Sequence, residues 1–248
     1  MDETTRQSCF ELLIELRKDV RHRICFPGTA TAWHLARGRR IIAESVVERC
    51  ALVGESVANE DYQDYVLRLP HVLERIEEQD SACQKTWGKY RDDRDRSFQL
   101  ERDELIDLFE EIHIYDLAYE RAARQAEKPL LPRSRRLQND SNADQGERDE
   151  LENAIRMTLR SFVENEKAIQ SALRTLDETR LLVGQDFEPW AVSFAESRYP
   201  GSRPAREGAL KALHRAVCYY NHRRGYSFEE YAKHWLEEHM LRALLGPQ

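Results

Sequence analysis

The sequence predicts an all-α protein, and three observations carry that prediction. Apolar residues recur with a period near 3.6 along most of the chain, whereas alternation at period 2 is hard to find. Glycine (10) and proline (8) are too sparse for an all-β sandwich with its many tight turns. The 248 residues are 41% hydrophobic and 33% charged, enough apolar material for one large packed domain or two small ones.

Taken in order, Phe10, Leu13, Ile14 and Leu16 among charges predict a first helix over about 4–21. After a break at Phe26-Pro27-Gly28, a second runs over about 31–54. Asn59 reads as the N-cap of a third, with Glu60 and Asp61 in its first turn, and that helix reaches about Lys89. Pro70 marks a kink or boundary inside it. Leu105, Leu108, Phe109, Ile112 and Tyr119 share one face of a fourth helix over about 98–125. Residues 127–149 hold two prolines among Ser, Asn, Asp and Gly, without a periodic apolar face, and read as a flexible linker. Leu151, Ile155, Leu159, Phe162, Ile169, Leu173 and Leu176 predict a helix over about 150–182. Breaks at Gly184-Gln185 and Pro200-Gly201 leave three more helices near 187–199, 204–220 and 228–245. The expected organisation is an acidic helical region (1–126), the linker (127–149), a connecting helix (150–183) and a C-terminal three-helix domain (184–248).

With 45 acidic and 38 basic residues the net charge is −7, so a nucleic-acid site has to be a local patch. From Glu196 onward nine basic residues face six acidic ones, a net +3 that leaves −10 on everything before it. A mildly basic module on an acidic body fits DNA at one end. No run of about 18 apolar residues predicts a transmembrane helix. Charges throughout Met1–Lys18 argue against a signal peptide, so the expected location is cytoplasmic, with no membrane partner. Cys9, Cys25, Cys50, Cys83 and Cys218 are odd in number and widely spaced, without a zinc-like cluster. They read as buried free thiols, and neither a metal nor a cofactor is expected.

The last helix has the best-marked start. Ser227-Phe228-Glu229-Glu230 is a capping box, with Tyr226 and Tyr231 at the two places of a hydrophobic staple. Gly225 before it suits a sharp reversal. Two apolar stripes follow: Ala232, Leu236, Met240 and Ala243 on the natural core face, and Phe228, Tyr231 and Trp235 on another, with His234, Glu238 and Arg242 beside it. Either the helix is buried on both sides or the aromatic stripe serves a partner. Rings near Arg223, Arg224 and Arg242 suit single-stranded nucleic acid, because rings stack unpaired bases while guanidinium groups hold phosphates.

The ordered series Ala216-Val217, Tyr220, Arg223-Arg224-Gly225-Tyr226-Ser227-Phe228, Tyr231-Ala232, Trp235-Leu236, Arg242-Ala243-Leu244 resembles the second conserved region of bacterial primary-type sigma factors. Residues 190–213 are similar to the helices that precede it there, so the likeness covers about 190–245. Thr29–Ile41 is more loosely similar to the family's first conserved helix. The charged helices between 60 and 182 sit where many of these factors carry a variable insert. The resemblance implies a domain that docks on a coiled coil of the largest subunit of core RNA polymerase and captures flipped bases of a melted −10 promoter element. It places Phe228, Tyr231 and Trp235 on the melting aromatics, with Tyr231 on the flipped adenine. It places His234 on a second aromatic position and Arg223, Arg224 and Arg242 on the DNA backbone. Arg203, Arg206, Glu207 and Leu213 fall in or near the polymerase-docking helix.

The departures carry information too. Glu237 and Glu238 stand where an Arg-Gln pair is common, Leu241 where a small polar residue reads the duplex edge, and Glu207-Gly208 is one residue out of register. The sequence stops at Gln248 without the later sigma domains, so the expectation is that a second protein supplies −35 recognition. The rival reading is an adaptor or competitor that keeps the fold, binds polymerase or another protein, and does not read promoter DNA. A third is a ribonuclease, because Arg215-x6-His222 is similar to the catalytic spacing of HEPN-type nucleases, although Ala216 stands where that motif is polar. Glu110-x-x-His113 has the spacing of di-metal bundles but no second copy. His234 and His239 lie on diverging faces. An enzyme is not expected.

Overall fold

The computed structural model describes residues 1–44, 62–114, 116–125, 130–140 and 143–245. Among these the periodicity becomes ten α-helices: α1 (Glu3–Ile24), α2 (Thr29–Ala43), α3 (Tyr62–Tyr90), α4 (Arg96–Glu110), α5 (Asp116–Gln125), α6 (Leu130–Asn139), α7 (Gln145–Ile155), α8 (Leu159–Arg198), α9 (Arg203–Tyr219) and α10 (Phe228–Leu245). The all-α expectation holds, with no strand among the described residues. No described helix is long and apolar enough to cross a membrane. The Asn59 cap, the end of the second predicted helix and Cys50 lie outside the described residues.

Several boundaries differ from the sequence reading. The 98–125 stretch is two helices, because the chain turns at His113, whose φ is 53°. There the carbonyl of Ile112, which a continuing helix would use internally, accepts the Tyr65 hydroxyl at 2.7 Å. The expected linker contains α6 and the start of α7. Pro132 lies in the first turn of α6, where a missing N–H costs nothing, and Leu137 on that helix is buried. The predicted 150–182 helix divides at Arg156, held left-handed (φ 51°), and Thr158 then caps α8 through the Ser161 amide. α8 does not break at Gly184. It runs for 40 residues, through Gly184 and Pro189, because Val183, Phe187, Ala191 and Ala195 keep one stripe buried on both sides of them.

The chain forms two compact units, Met1–Arg17 with Ala172–Gln248, and Lys18–Ser171. Boundaries expected at 127 and 150 fall inside the second unit, and 184 falls inside a helix. The C-terminal module therefore has a fourth helical wall that sequence order hides. The N-terminal part of α1 contributes Phe10 and Leu13 to a core that also holds Phe187, Leu213, Val217, Phe228, Leu236 and Met240. In the other unit, His34 stacks flat on Phe109 (3.8 Å between centroids), and the Arg156 guanidinium grips both oxygens of Asp80 at 2.6 and 2.7 Å.

Candidate nucleic-acid interface

The candidate site belongs to the first unit and begins where α9 ends. Tyr220 leaves the helix in an extended conformation, and its hydroxyl donates to the Tyr226 carbonyl at 2.7 Å, closing the turn. Inside it a 3-10 turn (His222–Arg224) is capped by the Asn221 side chain, which accepts the Arg223 amide at 3.0 Å. Gly225 has φ 80°, a conformation that a side chain would strain. The capping box forms as its sequence requires. Ser227 Oγ accepts the Glu230 amide at 3.2 Å, and the Glu230 carboxylate accepts the Ser227 amide at 2.9 Å, which holds that carboxyl below its usual range.

The staple residues stack, Tyr226 on Tyr231 at 5.9 Å and 19°. From there a row of rings follows α10: Tyr231 to Trp235 at 6.5 Å, then Trp235 to His239 at 6.2 Å. Tyr219, on α9, lies nearly parallel to Trp235 at 5.4 Å and 12°. Tyr219, Tyr226, Tyr231, Trp235 and His239 are all half-buried, each with part of its surface in solvent. Rings fixed by their neighbours and open on one side lose little entropy when a planar base joins the stack.

Phe228 is not one of these rings. It is 3% exposed, packed between Phe10, Phe187 and Tyr220, with the Phe187 centroid at 4.4 Å. Its assignment as a base-contacting aromatic is corrected: it is a core residue. Leu213 is likewise buried and offers no docking surface. His234, Glu238 and Arg242 are exposed on α10, and Arg223 and Arg224 on the turn. Arg203, Arg206 and Glu207 are exposed at the start of α9.

The cations do not stand alone. Arg223 reaches Glu15 at 2.8 Å, Arg242 pairs with Glu238 at 2.5 Å, Arg203 with Glu207 at 2.8 Å, and Arg206 with Glu196. Arg224 lies 3.5 Å from the Tyr226 hydroxyl. Glu237, a departure from the sigma pattern, accepts from Arg198 at 3.1 Å. Exposed pairs of this kind are worth about 0–1 kcal/mol, so a phosphate can displace the carboxylate at small cost.

Compared with models of known protein families, the chain matches none, and no curated protein matches it either.

The other constellations are dispersed. Arg215 is exposed on α9, whereas His222 sits on the 3-10 turn with Glu11 at 3.8 Å, so the pair shares no helix. Glu110 ends α4 and receives Arg21, while His113 belongs to the turn that follows. His239 is shifted downward in pKa by burial and by nearby Arg215. Cys25 and Cys83 are buried free thiols, both pushed up to about 12 by desolvation; Cys9 and Cys218 are half-buried and in no disulfide among the described residues. Sequence reasoning missed Tyr219, whose doublet with Tyr220 was a local signal. It also missed Arg17 and Glu15, which lie some 200 residues from their partners and gave none.

Proposed function

We propose that this protein is a divergent sigma-like initiation factor. Its first unit docks on core RNA polymerase and holds a melted −10 promoter strand. The observation that supports this best is the half-open row Tyr226–Tyr231–Trp235, backed by Tyr219 and flanked by Arg223, Arg224 and Arg242. Flipping a base costs a few kcal/mol of stacking, which a ring of this row returns. Tyr231 and Trp235 take the bases, the arginines take phosphates, and Phe228 keeps α10 seated under them.

Binding of a fluorescent single-stranded −10 oligonucleotide, by the protein alone and with core polymerase, tests the reading. Stacking contributes about 1–3 kcal/mol per base, so Tyr231→Ala and Trp235→Ala should each weaken binding by at least about five-fold. Affinity should fall with added salt. Equal affinity of parent and both variants rules the mechanism out.

A second reading rests on the ion pairs. Carboxylates already on Arg203, Arg206, Arg223 and Arg242 suit an adaptor that binds polymerase or another protein without touching DNA. It is favoured if polymerase is retained while no oligonucleotide binds under either condition.

A further inference from the structure

The turn that carries His222, Arg223, Arg224 and Tyr226 is tied to a part of the chain that the sigma resemblance does not include. Arg17, near the middle of α1, is 7% exposed and directs its guanidinium at the end of α9. Its Nη2 donates to the Val217 carbonyl at 3.2 Å and its Nη1 to the Tyr220 carbonyl at 3.4 Å. Both acceptors belong to the last turn of α9 or its C-cap, where carbonyls have no helical partner and the helix end attracts positive charge. Phe10 and Leu13, two turns and one turn earlier on α1, are sunk in the core of the same unit, which fixes where Arg17 points. On the neighbouring face Glu15 reaches Arg223, and Glu11 lies 3.8 Å from His222.

We propose that Arg17 is a positioning residue that holds the Tyr220–Ser227 turn in its strand-binding geometry. The proposal rests on the strand-binding reading above for its purpose, though not for its mechanics. The hydroxyl of Tyr220 and the side chain of Asn221 close the turn from within. Arg17 anchors it from outside, at the point where the chain leaves α9. A planar guanidinium holds its donors in a rigid fork that spans both carbonyls, whereas an ammonium is a compact point charge on a flexible stem that fixes their spacing less well. When that anchor is lost, the C-cap loosens, Tyr226 leaves its stack on Tyr231, and Arg223 and Arg224 lose their places beside the ring row.

A filler of the core and a positioning residue behave differently on replacement. Arg17→Met and Arg17→Lys, in the full chain, are compared with the parent by amide hydrogen exchange and by binding of the single-stranded −10 oligonucleotide. In Arg17→Met the amides of Arg223, Arg224 and Gly225 should exchange about ten-fold faster or more, while those of Leu236 and Met240 in α10 keep their protection. Oligonucleotide affinity should fall by about five-fold, the worth of one lost ordering contact. Arg17→Lys should recover part of both, and it supplies the test if the methionine variant does not fold. The proposal is overturned if protection drops equally in the turn and in α10, if the turn amides do not respond, or if the turn loosens and affinity stays at the parent's value. If the parent binds no oligonucleotide, the strand-binding reading fails and takes the stated purpose of the turn with it. The exchange data then still decide whether Arg17 orders the turn.

Discussion

Gly208 sits where α9 crosses α10, and a Cβ built on it would lie 2.8 Å from the carbonyl oxygen of His239 and 3.0 Å from the Ala243 Cβ. Backbone cannot step aside as a side-chain terminus can. Gly208→Ala should therefore cost about 1–3 kcal/mol, the usual penalty for overpacking, read as a lower denaturation midpoint. Gly38 is a useful contrast, since its added Cβ would meet the Leu73 Cδ2 at 2.5 Å, an atom that a rotamer change can move. Gly38→Ala should lose less. His34, 0% exposed, makes a different residue-scale prediction. Its Nδ1 lies 2.8 Å from the Ala30 carbonyl and its Nε2 3.1 Å from the Tyr119 hydroxyl, and burial lowers its pKa from the ordinary 6.5 to about 3. The unfolded chain thus takes up a proton that the folded one refuses. The stabilisation is complete above pH 6.5 and drains away as pH falls toward 3, with a slope of at most about 1.4 kcal/mol per pH unit. Urea midpoints between pH 7 and pH 5 should fall more steeply in the parent than in His34→Gln. Parallel curves would show that His34 is not the group responsible.

At the scale of elements, the outcome separates local signals from distant ones. α10 begins where its sequence says, because capping box and staple act within five residues of each other. The turn at His113 and the division at Arg156 were not legible. The first is bonded to Tyr65 and the second to Asp80, partners that no window of sequence contains. The candidate site divides in the same way. Tyr231 and Trp235 were readable from their spacing, and both reach the surface. Phe228 lay on the same stripe, but Phe10 and Phe187, far away in sequence, close over it. Phe228→Ala should accordingly cost about 3–5 kcal/mol of stability, the range for a buried ring, rather than act on binding alone. Gly184 was read as a break, yet it lies inside α8 with open space where a Cβ would go. Gly184→Ala should raise stability by about 0.4–1 kcal/mol, because alanine has less backbone freedom to lose in a helix. A fall in the midpoint would mean that α8 needs its glycine at that point.

For the whole molecule, the consequence is that the unit carrying the ring row is assembled from both ends of the sequence. Residues 172–245 carry the ring row, the turn and most of one core, but Phe10, Leu13 and Arg17 come from α1. Burying a large apolar side chain contributes about 1.5–3 kcal/mol, so the two hydrophobes alone are comparable to much of a small domain's stability of about 5–15 kcal/mol. A fragment spanning 184–248, the domain that sequence order suggests, lacks these groups and also Leu176 and Val183 of the same core. It should show helical content without a cooperative thermal transition, and should not hold Tyr226 against Tyr231. Extending it back to Ala172 should still leave the transition broad, because the cleft that α1 fills remains exposed to water. Adding residues 1–17 as a separate peptide to the 172–248 fragment should sharpen the transition in proportion to peptide concentration, as binding linkage requires. Phe10→Ala in that peptide should abolish the effect. If the 184–248 fragment melts cooperatively at the temperature of the intact unit, α1 only decorates a self-sufficient domain, and the N-terminal helix has no part in shaping the surface that the rings present.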